Sequence, residues 1–260
     1  MESINSEGAK YECLLFDMDD TLYPLSTGLN FACRLNIQDY MRQYLHIEES
    51  CVPKMCVDLY KEHGTTMAGL KALGYQFNND EFHEYVHGKL PYDVLKTDHL
   101  LRTLLLSIPH RKIVFTNADR AHVDQALKKL GLEDCFEDII CFETLNPCSQ
   151  IDDHINGDNS NPSILCKPSL KAFSDAIRIA KIDPNKTIFF DDSTRNIASA
   201  KLAGLHTVIV GSSKLVDGAD HALTSIHNMK EALPEIWAVM ANNENIGEAE
   251  EDLIIQPDSV

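Results

Sequence analysis

Residues 11–17, YECLLFD, form an apolar run of strand length that ends in an acid. A half-exposed strand would alternate polar and apolar residues, so the unbroken CLLF within it suits a parallel strand buried on both faces. Two more runs have the same character, RKIVFTN at 111–117 and KTIFFDD at 186–192. DIICF at 138–142 and HTVIVG at 206–211 read as further strands. Helical patterns lie between them at 97–107, 119–130, 168–181 and 193–203, and a last helix, broken near Pro234, is expected over 225–240. Strands alternating with helices imply an α/β fold, a doubly wound parallel sheet covered on both faces. Residues 28–90 depart from this alternation. The stretches 29–45, 50–62, 65–73 and 79–88 place apolar residues at helical spacing and contain no β-branched strand run, which predicts a compact helical insertion. Residues 145–163, rich in Asn, Asp, Ser and Pro, read as a loop.

Charge removes several functions. With 23 Lys+Arg against 40 Asp+Glu the net charge is −17. Nucleic acid is held largely by Lys and Arg on phosphate, so no nucleic acid polymer is expected as a partner. Residues 241–260 carry Glu244, Glu248, Glu250, Glu251, Asp252 and Asp258 and no Lys or Arg, and are expected to be a disordered acidic tail. No run of 18 apolar residues occurs, so no membrane span is expected. MESINSEGAKYE lacks the basic-then-apolar layout of a secretory signal, which points to the cytoplasm. The eight cysteines, at 13, 33, 51, 56, 135, 141, 148 and 166, contain no CxxC pair and read as reduced thiols, with Cys13 and Cys141 inside strands. His83 and His87 stand at i, i+4, but no third ligand is evident, and they read as an ordinary helical pair.

Three of the apolar strands end in reactive groups, Asp17, Thr116 and Asp191. In open α/β sheets ligands bind outside the carboxyl ends of the strands, so these groups are expected to converge on one site. Asp17 and Asp19 suit a carboxylate nucleophile beside a proton donor and acceptor. Two close carboxylates repel, and with Asp191 and Asp192 they form an all-oxygen set that suits Mg²⁺. Thr116 and Asn117 offer a hydroxyl and an amide to a phosphate, and Lys167 offers a point cation.

FDMDDTL, VFTN, CKP and FFDDSTRN, in that order, resemble the four motifs of the haloacid dehalogenase superfamily of aspartate-nucleophile phosphatases. The resemblance runs from about residue 11 to 230 and implies a Rossmann-like core of residues 1–24 and 96–240 with an inserted α-helical cap at 25–95. It implies that Asp17 is the nucleophile, Asp19 the general acid/base and Thr116 with Lys167 the phosphate-holding pair. Asp192 resembles the Mg²⁺ ligand of the fourth motif, with Asp191 a second ligand or orienter and the main-chain carbonyl of Asp19 a further ligand. Dehalogenases lack a carboxylate at the position of Asp19, so its presence favours phosphoryl chemistry.

TLYPLSTGLN, YKEHGTTMAGLKALGY, HGKLPYDVLK and FTNADRAHVDQALKKLGLEDCFE resemble the pyrimidine-5′-nucleotidase-like branch, especially plant members, a group that includes a xanthosine monophosphate phosphatase. The expected activity is Mg²⁺-dependent hydrolysis of a nucleoside 5′-monophosphate by a monomer or homodimer. The alternatives are a phosphatase of a sugar phosphate or another small metabolite, or a phosphomutase. For base and ribose, Thr65, Thr66 and Met67 are expected to contribute, with Tyr23 stacking on a ring and His63 and Tyr92 as further candidates.

Overall fold

The computed structural model describes residues 10–147 and 164–237. The expected acidic tail, most of the expected loop and Cys148 lie outside the described residues. Six strands form one sheet: β1 (Cys13–Phe16), β2 (Arg111–Phe115), β3 (Asp138–Ile140), β4 (Thr187–Asp191), β5 (His206–Val210) and β6 (His221–Leu223). Their order is β3-β2-β1-β4-β5-β6, and every neighbouring pair is parallel. The chain builds outward from β1 to β3, then returns to β4 on the other side of β1. Strand order therefore reverses between β1 and β4, where a doubly wound sheet opens a crevice at its carboxyl ends.

The unbroken apolar runs have a direct structural cause. Along β1, Leu14 and Phe16 enter one apolar cluster, while Cys13 and Leu15 enter another on the opposite face. Both faces of the strand are covered, so neither position of its two-residue period tolerates a polar side chain. Helices α5 (His99–Leu106) and α6 (Arg120–Leu130) contribute to the first cluster, and α8 (Leu170–Ala180) and α9 (Thr194–Leu202) to the second.

Between β1 and β2 the chain forms four helices: α1 (Leu29–Gln43), α2 (Val52–His63), α3 (Thr66–Ala72) and α4 (Asn79–His87). They share an apolar cluster of their own around Tyr40, Met41, Leu59, Leu70, Phe82 and Val86, which Phe142 joins from the sheet side. Asn78 caps α4 by accepting from the amides of Asp80 and Glu81.

Three details differ from the sequence expectation. The strand at 138–142 stops at Ile140. Cys141 instead begins the short helix α7 (Phe142–Leu145), with its amide donating to Thr144 Oγ1 at 3.2 Å. The last helix is in pieces: 3₁₀ turns at Ile226–Asn228 and Pro234–Trp237 flank the short α10 (Met229–Ala232), because Pro234 cannot donate to a helical carbonyl. β6 is too short to show an apolar run and has no counterpart in the sequence reading.

Candidate active site

Asp17 follows β1 directly, and its amide donates to Phe190 O at 2.8 Å, which places it beside Asp191 at the end of β4. Thr116 follows β2 on the other side of β1. Three adjacent strands thus deliver their terminal polar residues to one place. Lys167 reaches it from the loop before α8. It is 1% exposed, and its ammonium donates to Asp17 Oδ1 at 2.7 Å, Asp191 Oδ2 at 2.9 Å and Phe115 O at 2.7 Å. All three ammonium hydrogens are used. Burial alone would discharge such a lysine, but the carboxylates of Asp17 and Asp191 outweigh it and hold its pKa above the ordinary value. Asp17 is itself buried, which pushes its carboxyl well up against the pull of Lys167, and the negative charges of Asp191, Asp192 and Asp19 add to the rise. Thr21 donates to its second oxygen, Oδ2, at 3.1 Å.

The loop that carries Lys167 is fixed from two sides. Asn117 donates from Nδ2 to Lys167 O at 3.0 Å and accepts the Lys167 amide on Oδ1 at 2.8 Å. Asn117 was expected to offer its amide to a phosphate. Here it holds the lysine backbone, whose amide and carbonyl have no ladder partner in the loop. On the other side Gly64, at φ +88, closes α2 so tightly that a Cβ there would lie 2.4 Å from Lys167 O. Only glycine fits both that backbone conformation and that approach.

Asp17, Asp191 and Asp192 each present a ligand oxygen, and the three atoms lie within 4.8 Å of one another. The two aspartates of β4 differ in use. Asp191 is fully buried, and its carboxylate accepts from Lys167, from the Ser193 amide at 2.8 Å and from Asn196 Nδ2 at 3.0 Å. Asp192 is exposed. Desolvation of its carboxyl, with the neighbouring charges of Asp191 and Asp20, brings it up to about 7. Hard oxygen donors crowded in this way fit a small divalent cation such as Mg²⁺, which would offset their mutual repulsion.

Asp19 stands apart from this cluster. Its Oδ1 bonds His122 Nε2 at 2.7 Å and accepts from the hydroxyl of Tyr23. Burial opposes ionisation of Asp19, but the His122 charge and both hydrogen bonds outweigh it and bring the carboxyl down to about 2. Burial would likewise discharge His122, yet Asp19 raises it above the ordinary value. Each of the two groups thus favours the charged form of the other. Beside it, His87 Nδ1 bonds Asp119, the residue that precedes α6. Desolvation and then the charge of His122 lower His87, and His83 is pushed by burial to about 4.

A cavity of about 490 Å³ lies between the strand ends and the helices α1–α4. It is lined on one side by Asp17, Asp19, Thr116, Asn117, Lys167 and Asp192, and on the other by Thr65, Thr66, Met67, Phe82, Val86 and Arg34. All but four of the expected site residues line this cavity, and one of the four is Asp191, fully buried and bonded to Lys167 and Asn196. Tyr23 does not line the cavity: its ring is buried in the core, and its hydroxyl is taken by Asp19. Tyr92 lines a smaller neighbouring cavity and bonds His122 at 2.7 Å, and His63 lines neither. The two threonines are also partly committed. Thr65 Oγ1 caps α3 by accepting the Ala68 amide at 3.1 Å, and Thr66 Oγ1 donates to Cys56 O at 3.0 Å. His122 and Asp119 escaped the sequence reading. The available signal was a histidine in the buried stripe His122, Ala126, Leu130 of α6, where a polar residue needs a partner.

The chain is similar to several known proteins. The haloacid dehalogenase-like hydrolase family matches residues 11–204, well over half of the chain. Phosphate metabolism protein 8 of Saccharomyces cerevisiae is 25% identical over 203 residues, which cover 75% of this chain and 60% of that protein. The chain thus spans less than two thirds of the length of this relative. Among solved structures, CbbY from Rhodobacter sphaeroides in complex with phosphate has a TM-score of 0.57 at 16% identity, covering 87% of this chain and 99% of the other. HAD-hydrolase YfnB from Bacillus subtilis bound to magnesium has a TM-score of 0.53 at 19% identity, covering 85% and 98%. At these identities the two structures establish a shared fold.

Proposed function

The chain belongs to the haloacid dehalogenase-like hydrolase family, and we propose that it is a Mg²⁺-dependent phosphatase that hydrolyses a nucleoside 5′-monophosphate through an aspartyl phosphate. The observation that carries this reading is the meeting of Asp17, Lys167, Thr116 and Asp192 at the ends of three adjacent strands, open to one cavity. On this reading the core that carries the chemistry is drawn, among the described residues, from 10–24, 96–147 and 164–237, and the cap that would cover it from 25–95. Asp17, Asp192 and the main-chain carbonyl of Asp19 would hold Mg²⁺, with Asp191 a second ligand or, as its saturation by Lys167 and Asn196 favours, an orienter. When bound, the ion supplies positive charge against the carboxylates and the substrate phosphate.

The residues of the chain then divide the work. Lys167 and Thr21 fix both oxygens of Asp17, so the carboxylate meets the phosphorus in one orientation. A bond forms from Asp17 oxygen to phosphorus while the bond from phosphorus to the ester oxygen breaks. A dianionic phosphate beside Asp19 raises its pKa, and the protonated Asp19 gives its proton to the departing alkoxide. Water then attacks the phosphorus and loses its proton to Asp19, which frees inorganic phosphate and regenerates Asp17. Thr116 contributes its hydroxyl to the phosphate oxygens.

The nucleotide reading rests on the resemblance of the helical segment to the pyrimidine-5′-nucleotidase-like branch and on the cavity. About 490 Å³ is ample for a nucleoside monophosphate. Its helical side offers Phe82, Val86, Ile37 and Met67 as apolar surface for the flat part of a base, with Arg34, Thr65 and Thr66 as polar groups. The xanthosine and pyrimidine monophosphates are the first candidates.

The test is phosphate release from UMP, CMP, GMP, IMP and XMP, with Mg²⁺ and with excess EDTA. One nucleotide is expected to exceed the others and to need the metal. Faster release from sugar phosphates would replace the nucleotide by another small phosphate ester. Transfer of phosphate within a sugar without release would make the protein a mutase. No release from any ester would overturn the phosphatase reading.

A further inference from the structure

We propose that His122 is the positioning residue for Asp19: it turns the carboxyl so that one oxygen is held and the other faces the leaving group. The inference rests on the phosphatase reading above, in which Asp19 protonates the departing oxygen.

The geometry is specific. Both protein contacts of the Asp19 carboxyl fall on Oδ1, from His122 Nε2 at 2.7 Å and from the Tyr23 hydroxyl. Among the described residues Oδ2 has no hydrogen-bond partner, and Asp19 lines the large cavity. Two donors on one oxygen fix the rotation of a carboxyl about its Cβ–Cγ bond, and they leave Oδ2 for the substrate. Tyr23 supplies one donor from four residues along the same turn. His122 supplies the other across 103 residues of sequence, so only the tertiary fold brings it there.

His122 is in turn fixed on every side. It is 3% exposed, and its other nitrogen, Nδ1, bonds the Tyr92 hydroxyl at 2.7 Å. The ring of His87 lies over it, with centroids 4.5 Å apart and planes tilted by 31°, and His87 is tethered by Asp119. A buried imidazole used only as filler would leave polar nitrogens to satisfy at a cost that a phenyl ring avoids. Here both nitrogens are satisfied, one by the acid/base and one by a residue beyond it. The three side chains also come from different elements: His122 from the first turn of α6, His87 from the end of α4 and Tyr92 from the turn that follows.

The experiment is steady-state hydrolysis by the full chain of a series of phosphate monoesters of graded leaving-group basicity, from p-nitrophenyl phosphate to a nucleoside 5′-monophosphate. Here kcat/KM reports the step in which the ester bond breaks. General acid catalysis is worth about 10²–10⁴-fold, so loss of its orientation should forfeit a large part of that for poor leaving groups. His122→Ala should lower kcat/KM for the most basic leaving group by about 30-fold or more, through kcat with KM nearly constant. For p-nitrophenolate, which needs no proton, the loss should stay within about threefold. His122→Gln, whose amide can donate to the same oxygen, should recover about tenfold of the loss. Tyr92→Phe removes a single hydroxyl, so it reads the same effect in an intact core. It should steepen the leaving-group dependence in the same direction by about threefold to tenfold. An unchanged slope in both His122→Ala and Tyr92→Phe, in proteins that melt as the wild type does, overturns the positioning role and leaves the phosphatase reading standing. Wild-type protein that releases phosphate from no ester overturns that reading and this inference together.

Discussion

Lys167, on the strand side of the cavity, gives all three of its ammonium hydrogens to Phe115, Asp17 and Asp191. Phe82, Val86 and Met67, on the helical side, offer no strong donor at all. The strand side is a polar network in which Lys167, Asp17 and Asp191 are each held by another group before any substrate arrives. Such networks are costly when incomplete and rigid when complete. The helical side is mainly apolar packing, and two of its polar members, Thr65 and Thr66, already serve α3 and Cys56. One side is therefore suited to a fixed chemical step on a fixed group. The other is suited to fitting the variable part of a substrate.

The largest effect that tests this division is on the strand side. Asp17→Asn should lower kcat by on the order of 10⁴-fold or more for every ester tried, because it removes the nucleophile. Wild-type turnover in this variant would place the chemistry elsewhere. Lys167→Met should come next, with a loss on the order of 10²–10³-fold, the scale of one lost group that stabilises developing charge. It should also cost stability, about 3–5 kcal/mol by denaturant titration, since Asp17 and Asp191 would be left buried without their cation. A Lys167→Met protein as stable as wild type would mean that the network is looser than its distances imply.

Gly64 sits where the two sides touch. Gly64→Ala should lower stability by about 1–3 kcal/mol, because its φ of +88 disfavours a side chain and the new Cβ would meet Lys167 O. Activity should fall equally for nucleotides and for p-nitrophenyl phosphate, since what moves is Lys167. A loss confined to nucleotides would instead make Gly64 part of the base pocket. The smallest effect belongs to the helical side. Thr65→Val removes the cap of α3, worth about 1 kcal/mol by thermal melting. It should lower kcat/KM for the preferred nucleotide by about tenfold, the value of roughly one hydrogen bond, with p-nitrophenyl phosphate little changed. Equal losses on both substrates would show that the loop only supports the fold, and would turn the search for base contacts to Arg34 and Phe82.

Much of the strand side was legible because its signals are local. An apolar run that ends in an acid is visible in seven residues, and FDMDDTL, VFTN, CKP and FFDDSTRN each carry their chemistry within a few positions of a strand or helix end. The helical insertion was legible from its spacing, since four amphipathic stretches each announce a buried face. What the sequence determined by itself was therefore the sheet, the position of the helical segment and the identity of Asp17, Asp19, Thr116, Lys167 and Asp192 as candidates.

Only the tertiary structure decided how these groups are used. Asn117 looked like a phosphate donor and turned out to clamp Lys167 across 50 residues. Tyr23 looked like a stacking ring and is instead buried beneath Asp19. His122, an unremarked histidine on α6, meets Asp19 from 103 residues away, and Lys167 meets Asp17 from 150. Local periodicity fixes which face of an element is buried, but a hydrogen bond needs two groups within about 3 Å. For groups this far apart in sequence that distance is set by the packing of every element between them.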